Sequence, residues 1–216
     1  MDAVKSLGED CSARIVAGYL NTIGHKASYC NPKLAGLLLT VSFGHAQVLP
    51  DSYERLSALR ETDEICIFPG FYGYSTDGEV ITFSRGGSDI TGSILSAAVH
   101  ADIYENWTDV SGLLAADPHI VESPKTVKYV SYRELRTLSY MGASVLHTDA
   151  VLPVSDMGIP INIRNTDRPG TPAPPSCAGC PRARPSIRSS VWPAGRACPS
   201  SRWKRSWSAM NRASPP

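Results

Sequence analysis

The chain has 216 residues and a formal net charge of +1, but that near-neutral value averages two unlike parts. From Thr171 to Pro216 there are nine Pro, nine Ser, seven Arg and one Lys with no Asp or Glu, which leaves 13 basic and 20 acidic side chains in the first 170 residues. An acidic body of that length can hold one domain with a real core and gives no reason to expect a nucleic-acid partner; with no run of about 18 apolar residues, a transmembrane helix is excluded.

In chain order, Met1 to Asp10 lacks the apolar centre of a signal peptide, and the body reads as soluble and cytoplasmic. Ile15, Val16, Tyr19, Leu20 and Ile23 recur at helical spacing, with Asp10 or Ser12 as the expected cap and Gly24 as the stop. Short strands are expected over Lys26 to Tyr29 and Leu37 to Val41, then a helix from Pro50 to about Arg60. Ile65 to Phe68 is a wholly apolar run of the kind a buried parallel strand shows, halted by Pro69-Gly70. Tyr72 to Phe83 predicts a hairpin turning at Thr76-Asp77-Gly78. A helix after Asp89 (Ile90, Ile94, Leu95, Ala98, Val99), a strand from Asp102 to about Trp107 and a loop rich in Gly and Pro come next. Helices over Tyr132 to Met141 and Thr148 to Asp156 and a strand from Ile159 to Ile163 complete the body. Alternating strands and helices imply an α/β fold: an open, mostly parallel sheet layered between helices. Cys11, Cys30 and Cys66, scattered among apolar residues, read as reduced, buried thiols.

The stretch with most chemical content is Thr82 to Gly92. Adjacent Gly86 and Gly87 fall between a β-rich run and the first turn of a helix, with Arg85 before them and Ser88-Asp89 after. Backbone amides free of a Cβ, the positive end of a helix dipole and a guanidinium meet there, a corner suited to an anion.

Phe83-Ser84-Arg85-Gly86-Gly87-Ser88-Asp89, Glu105-Asn106-Trp107-Thr108-Asp109-Val110 ahead of Asp117-Pro118, Ser139-Tyr140-Met141-Gly142-Ala143 and the upstream Gly8-Glu9 form an ordered set. From about Gly8 to about Arg168 this set resembles the aspartate kinases of the amino-acid kinase family. The resemblance implies ATP-dependent phosphorylation of the β-carboxylate of L-aspartate, with Mg²⁺ held mainly by phosphate oxygens and water, and a homo-oligomer in the complete family. It also implies roles: Arg85 as a two-pronged carboxylate clamp with Ser88 beside it, Glu9 for the substrate ammonium, and Asp89 as the catalytic-site acid that orients phosphate-binding groups. Thr108-Asp109 and the backbone around Ser144 and Val145 line the nucleotide. No metal-ligand spacing is present among the five histidines.

Two departures stand out. The family's opening Lys-Phe-Gly-Gly-Thr has no counterpart near Lys5, which implies a chain that starts inside the kinase domain, and no Walker A pattern replaces it. Ser144 and His119 stand where many members have Lys and Arg. Residues 1–168 are thus expected to form a partial kinase domain and 169–216 a tail. The tail's composition is that of a GC-rich gene read one base out of step, or of a disordered basic extension. Other readings are a catalytically inactive fragment, or a binding module built on the basic tail; its Cys177-Ala178-Gly179-Cys180 pair lacks the second pair a zinc knuckle needs.

Overall fold

A computed structural model describes residues 2–42, 46–109, 112, 120–125, 127, 130–140 and 146–168. They lie within the unit Met1–Gly179. The expectations for Ser144, Val145, Asp117, His119 and the tail from 169 onward fall outside the described residues.

Helix α1 (Asp2–Thr22) begins eight residues before the expected cap. What holds its first turn is distant in sequence: the Asp2 carboxylate accepts from the Thr82 amide at 3.3 Å and hydroxyl at 3.0 Å. Its core-facing residues are small, Ser6, Ala13 and Ala17 with Leu20, so the helix lies close against what it covers. Gly24, at φ 88, ends it as expected, and the Asn21 side chain ties this end to Ala27 through both backbone groups.

Strands β1 (Ala27–Tyr29) and β2 (Ile65–Ile67) pair in parallel, Ala27 opposite Ile65. The β2 run is half-buried rather than wholly buried. Its neighbour corrects a further expectation: the chain just past β1 lies beside β2, and Cys30 and Cys66 are joined in a disulfide, with Cα atoms 5.9 Å apart. Cys11 is free and exposed, not a buried thiol. Asn31 caps a short α2 (Pro32–Ala35), and Leu37 to Val41 makes only isolated bridges, Leu38 to Tyr74 and Leu39 to Val48, instead of a strand. The Ser52 hydroxyl, in α3 (Asp51–Ser57), satisfies both backbone groups of Leu38.

The hairpin forms as the turn residues require, β3 (Tyr72–Tyr74) antiparallel to β4 (Val80–Thr82), with Gly78 at φ 84 in the turn. Helix α4 (Gly87–Ala98) leads to β5 (Tyr104–Thr108), and α5 (Tyr132–Tyr140) and α6 (Thr148–Asp156) to β6 (Ile161–Asn165), which runs parallel to β5. The strand at 161–165 is displaced two residues from its expected place. Leu37, Leu56, Ile81, Ile94, Val151 and Ile161 form the centre of the core, where α3, α4, α6 and the β5–β6 pair meet.

Asp10 anchors the middle of α1. It accepts from the hydroxyls of Tyr29 and of Tyr72 (3.1 Å) and from Arg14 Nε at 2.7 Å, while the Arg14 guanidinium lies 4.0 Å over the Tyr29 ring. Burial pulls the Asp10 carboxyl upward, but these donors outweigh it and hold it below the usual carboxylate range. A lowered folded-state pKa stabilises above the unfolded value of about 4 and is lost as pH falls through the folded one. Asp10→Ala should therefore cost about 1–3 kcal/mol in urea unfolding at neutral pH, with the difference from the unsubstituted chain closing as pH drops below about 4.

Candidate active site

Strand β4 ends at Thr82, and the chain turns through Ser84, Arg85 and Gly86 into α4. Gly86 takes φ 77 at the N-cap position, and a Cβ there would stand 2.6 Å from that of His147. A Cβ on Gly87 would meet Phe71 at 2.7 Å and Phe83 at 2.9 Å. Only glycine lets the turn pack this tightly on both sides. The loop before β3 is fixed to the same corner: Phe71, at φ 60, donates its amide to Thr91 Oγ1 at 3.0 Å, and Thr91 donates on to the Gly87 carbonyl. Gly70 lies against Ser88, whose Oγ a Cβ at position 70 would meet at 2.8 Å. These contacts leave Arg85 and Ser88 exposed beside the first-turn amides of α4, which have no partner four residues back in the helix.

Asp89 is the third residue of α4 and does not cap it. Its carboxylate faces β5 instead, accepting from Asn106 Nδ2 at 2.8 Å. The same amide donates to the Tyr104 hydroxyl at 3.2 Å, and that hydroxyl donates to the Asp89 carbonyl at 3.1 Å. Tyr104 and Asn106 are buried, and burial pushes the Tyr104 phenol far up, so it stays a neutral donor. Neither is among the site residues expected from the sequence. The signal was there in Asn106, a residue strands avoid, placed in the middle of one.

Side chains alternate along a strand, so Thr108 lies on the same face of β5 as Asn106 and Tyr104. Thr108 donates to the Asp109 carboxylate at 3.1 Å. Its carbonyl accepts from the Thr166 amide and hydroxyl at 2.9 and 3.2 Å, and Asn165 donates to the Asp109 carbonyl. Thr108-Asp109 and Asn165-Thr166 thus share the carboxyl end of a parallel pair, the edge where ligands gather in open α/β sheets. On the opposite face Glu105 accepts from Asn162 and Arg164, and Arg164 stacks 4.5 Å over Trp107.

Glu9 is half-buried on α1, next to Asp10. Its helix is bonded to β4 through Asp2 and to β3 through Asp10, so Glu9 and the Arg85 loop are attached to one hairpin. The structure bonds Asp89 to Asn106, two residues before Thr108 on the same face of β5, and sets Arg85 and Ser88 on the same turn of chain. Among the described residues no three His, Cys, Asp or Glu side chains gather as metal ligands would, and no helix is long and apolar enough to cross a membrane.

The family model described as "Amino acid kinase family" matches residues 1–165. Among curated proteins, Aspartokinase 3 of Bacillus subtilis (strain 168) is 54% identical over 169 residues, covering 78% of this chain and 37% of that protein. Among solved structures, the aspartate kinase of Clostridium acetobutylicum is 48% identical with a TM-score of 0.66, covering 82% of this chain and 38% of that one. Aspartokinase III of E. coli in complex with aspartate and ADP gives 29% identity and a TM-score of 0.72, covering 78% and 38%. The chain thus spans somewhat over a third of the length of each of these relatives.

Proposed function

The chain belongs to the amino acid kinase family, and from that premise we propose that it serves an aspartate kinase: ATP-dependent phosphorylation of the β-carboxylate of L-aspartate, the entry to lysine, threonine and methionine synthesis in the cytoplasm. The observation that supports this most is the Arg85–Asp89 turn, where an exposed guanidinium and hydroxyl stand beside α4's first amides while the acid two residues past Gly87 is locked onto β5 through Asn106. Residues 1–168 are the working part and 169–216 a tail.

Arg85 binds a carboxylate of aspartate through two parallel hydrogen bonds, Ser88 adds its hydroxyl, and Glu9 takes the ammonium. Thr108 and Asp109, with Ser144 and Val145, line the nucleotide side. The acceptor is already an anion, so its β-carboxylate oxygen attacks the γ-phosphorus, the bond to the bridging oxygen breaks and ADP leaves, with no base required. Asp89, fixed by Asn106, orients the cationic and amide donors that meet the phosphates. Mg²⁺ would supply charge neutralisation for the nucleotide phosphates, and the oxygen donors of Thr108 and Asp109 would suit such a hard cation beside them. In its complete form the enzyme is a homo-oligomer.

The test is hydroxamate formation: aspartate, ATP and Mg²⁺ with hydroxylamine should give aspartyl hydroxamate with the purified chain. Equal colour with glutamate replacing aspartate would overturn the substrate assignment. The share of 37–38% of the relatives' length favours one second reading, a chain that binds aspartate without turnover. That reading predicts saturable aspartate binding and no hydroxamate.

A further inference from the structure

Among the described residues three besides glycine take positive φ: Phe71, His100 and Ser123. His100 and Ser123 are exposed, whereas Phe71 is half-buried beside the Arg85–Asp89 turn. A bulky residue in the left-handed region is strained, so its surroundings must hold it there. Its carbonyl accepts from the Phe83 amide at 2.8 Å, and its amide donates to Thr91 Oγ1 at 3.0 Å. Its Cβ stands where any side chain on Gly87 would meet it at 2.7 Å.

Thr91 lies one turn beyond Gly87 in α4 and is 2% exposed. A threonine inside a helix commonly bonds back to the carbonyl four residues earlier, and Thr91 does so to Gly87 at 2.9 Å. That bond uses its single proton and turns the oxygen into an acceptor for an amide twenty residues earlier in the chain, which local helix packing does not ask for. What the strained residue holds in place is Gly70, between it and the buried Pro69. The Gly70 backbone is a wall against Ser88: a Cβ there would stand 2.8 Å from Ser88 Oγ, 3.0 Å from its Cβ and 3.1 Å from its Cα. An exposed serine otherwise turns among three rotamers, and a wall at that distance narrows the choice. We propose that Thr91 is a positioning residue of the aspartate site, its hydroxyl pinning Phe71 so that Gly70 sets the Ser88 hydroxyl for the amino acid. This rests on the reading above in which Ser88 binds aspartate.

The test is calorimetric titration of the full chain with L-aspartate. Thr91→Val keeps the shape of the side chain and removes both bonds; it should weaken binding about 10-fold. Thr91→Ser keeps the hydroxyl and should stay within about 3-fold of the unsubstituted chain. In a Ser88→Ala background Thr91→Val should cost less than about 2-fold further, because no hydroxyl is left to position, and a merely structural role would not show that coupling. Affinity unchanged by Thr91→Val, no recovery with Thr91→Ser, or an equal loss with and without Ser88 would overturn the proposal while leaving the aspartate site standing. No binding by the unsubstituted chain would overturn the site itself, and this inference with it. If Thr91→Val does not fold, Gly70→Ala decides: it displaces the wall with Thr91 intact and should weaken aspartate binding about 10-fold with an unchanged circular dichroism spectrum, and unchanged affinity would overturn the proposal.

Discussion

Arg85→Ala should raise the Michaelis constant for L-aspartate in the hydroxamate assay about 100-fold or more, with little change in the constant for ATP. Removing one partner of a bidentate charge-assisted pair costs about 2–5 kcal/mol, most of it the penalty of a carboxylate left without its cation, and 2.7 kcal/mol is already about 100-fold. Arg85→Lys should recover only part of the loss, because an ammonium supplies charge without the planar fork. The side chain is exposed on the turn, so the variant's unfolding free energy should stay within about 0.5 kcal/mol of the unsubstituted chain. A fall in activity accompanied by a fall in stability would mean that Arg85 props the turn and does not hold the substrate.

Asp89→Ala carries the opposite signature, since it should affect both activity and stability. Without the carboxylate, the buried Asn106 amide keeps only the Tyr104 hydroxyl, and the stability loss should be about 1–3 kcal/mol. Turnover should fall about 100-fold while the Michaelis constant for aspartate changes little, because the proposed function has Asp89 orient donors to the phosphates and Arg85, Ser88 and Glu9 hold the amino acid. Asp89→Asn separates the two effects: an amide oxygen can still accept from Asn106, so stability should return while turnover stays low. Turnover equal to that of the unsubstituted chain would remove Asp89 from the catalytic set.

What could be read from the residues alone follows the range of the forces involved. The 72–83 hairpin is set by a local Gly78 turn, and α6 by the periodicity of residues 148–156, and both stand where expected. The start of α1 was not legible because it is held by Thr82, eighty positions away, while the local cap signals at Asp10 and Ser12 are genuine but unused. Asp10, expected alongside Ser12 as a possible cap, is instead the acceptor that ties α1 to two tyrosines. The Cys30–Cys66 bond depends on which strands are neighbours, something composition does not reveal. At the site, the glycine pair announced a tight turn, and the structure supplies its reason in Phe71, Phe83 and His147. Asn106 stayed hidden because its role exists only once α4 lies across β5.

Occupation of the turn between β4 and α4 by L-aspartate is tested most directly by calorimetric titration, whether or not the chain turns over. L-aspartate added to the purified chain should bind saturably with one site per chain, and Arg85→Ala should weaken that binding at least about 30-fold without altering the melting curve. Equal affinity in the two proteins would contradict it.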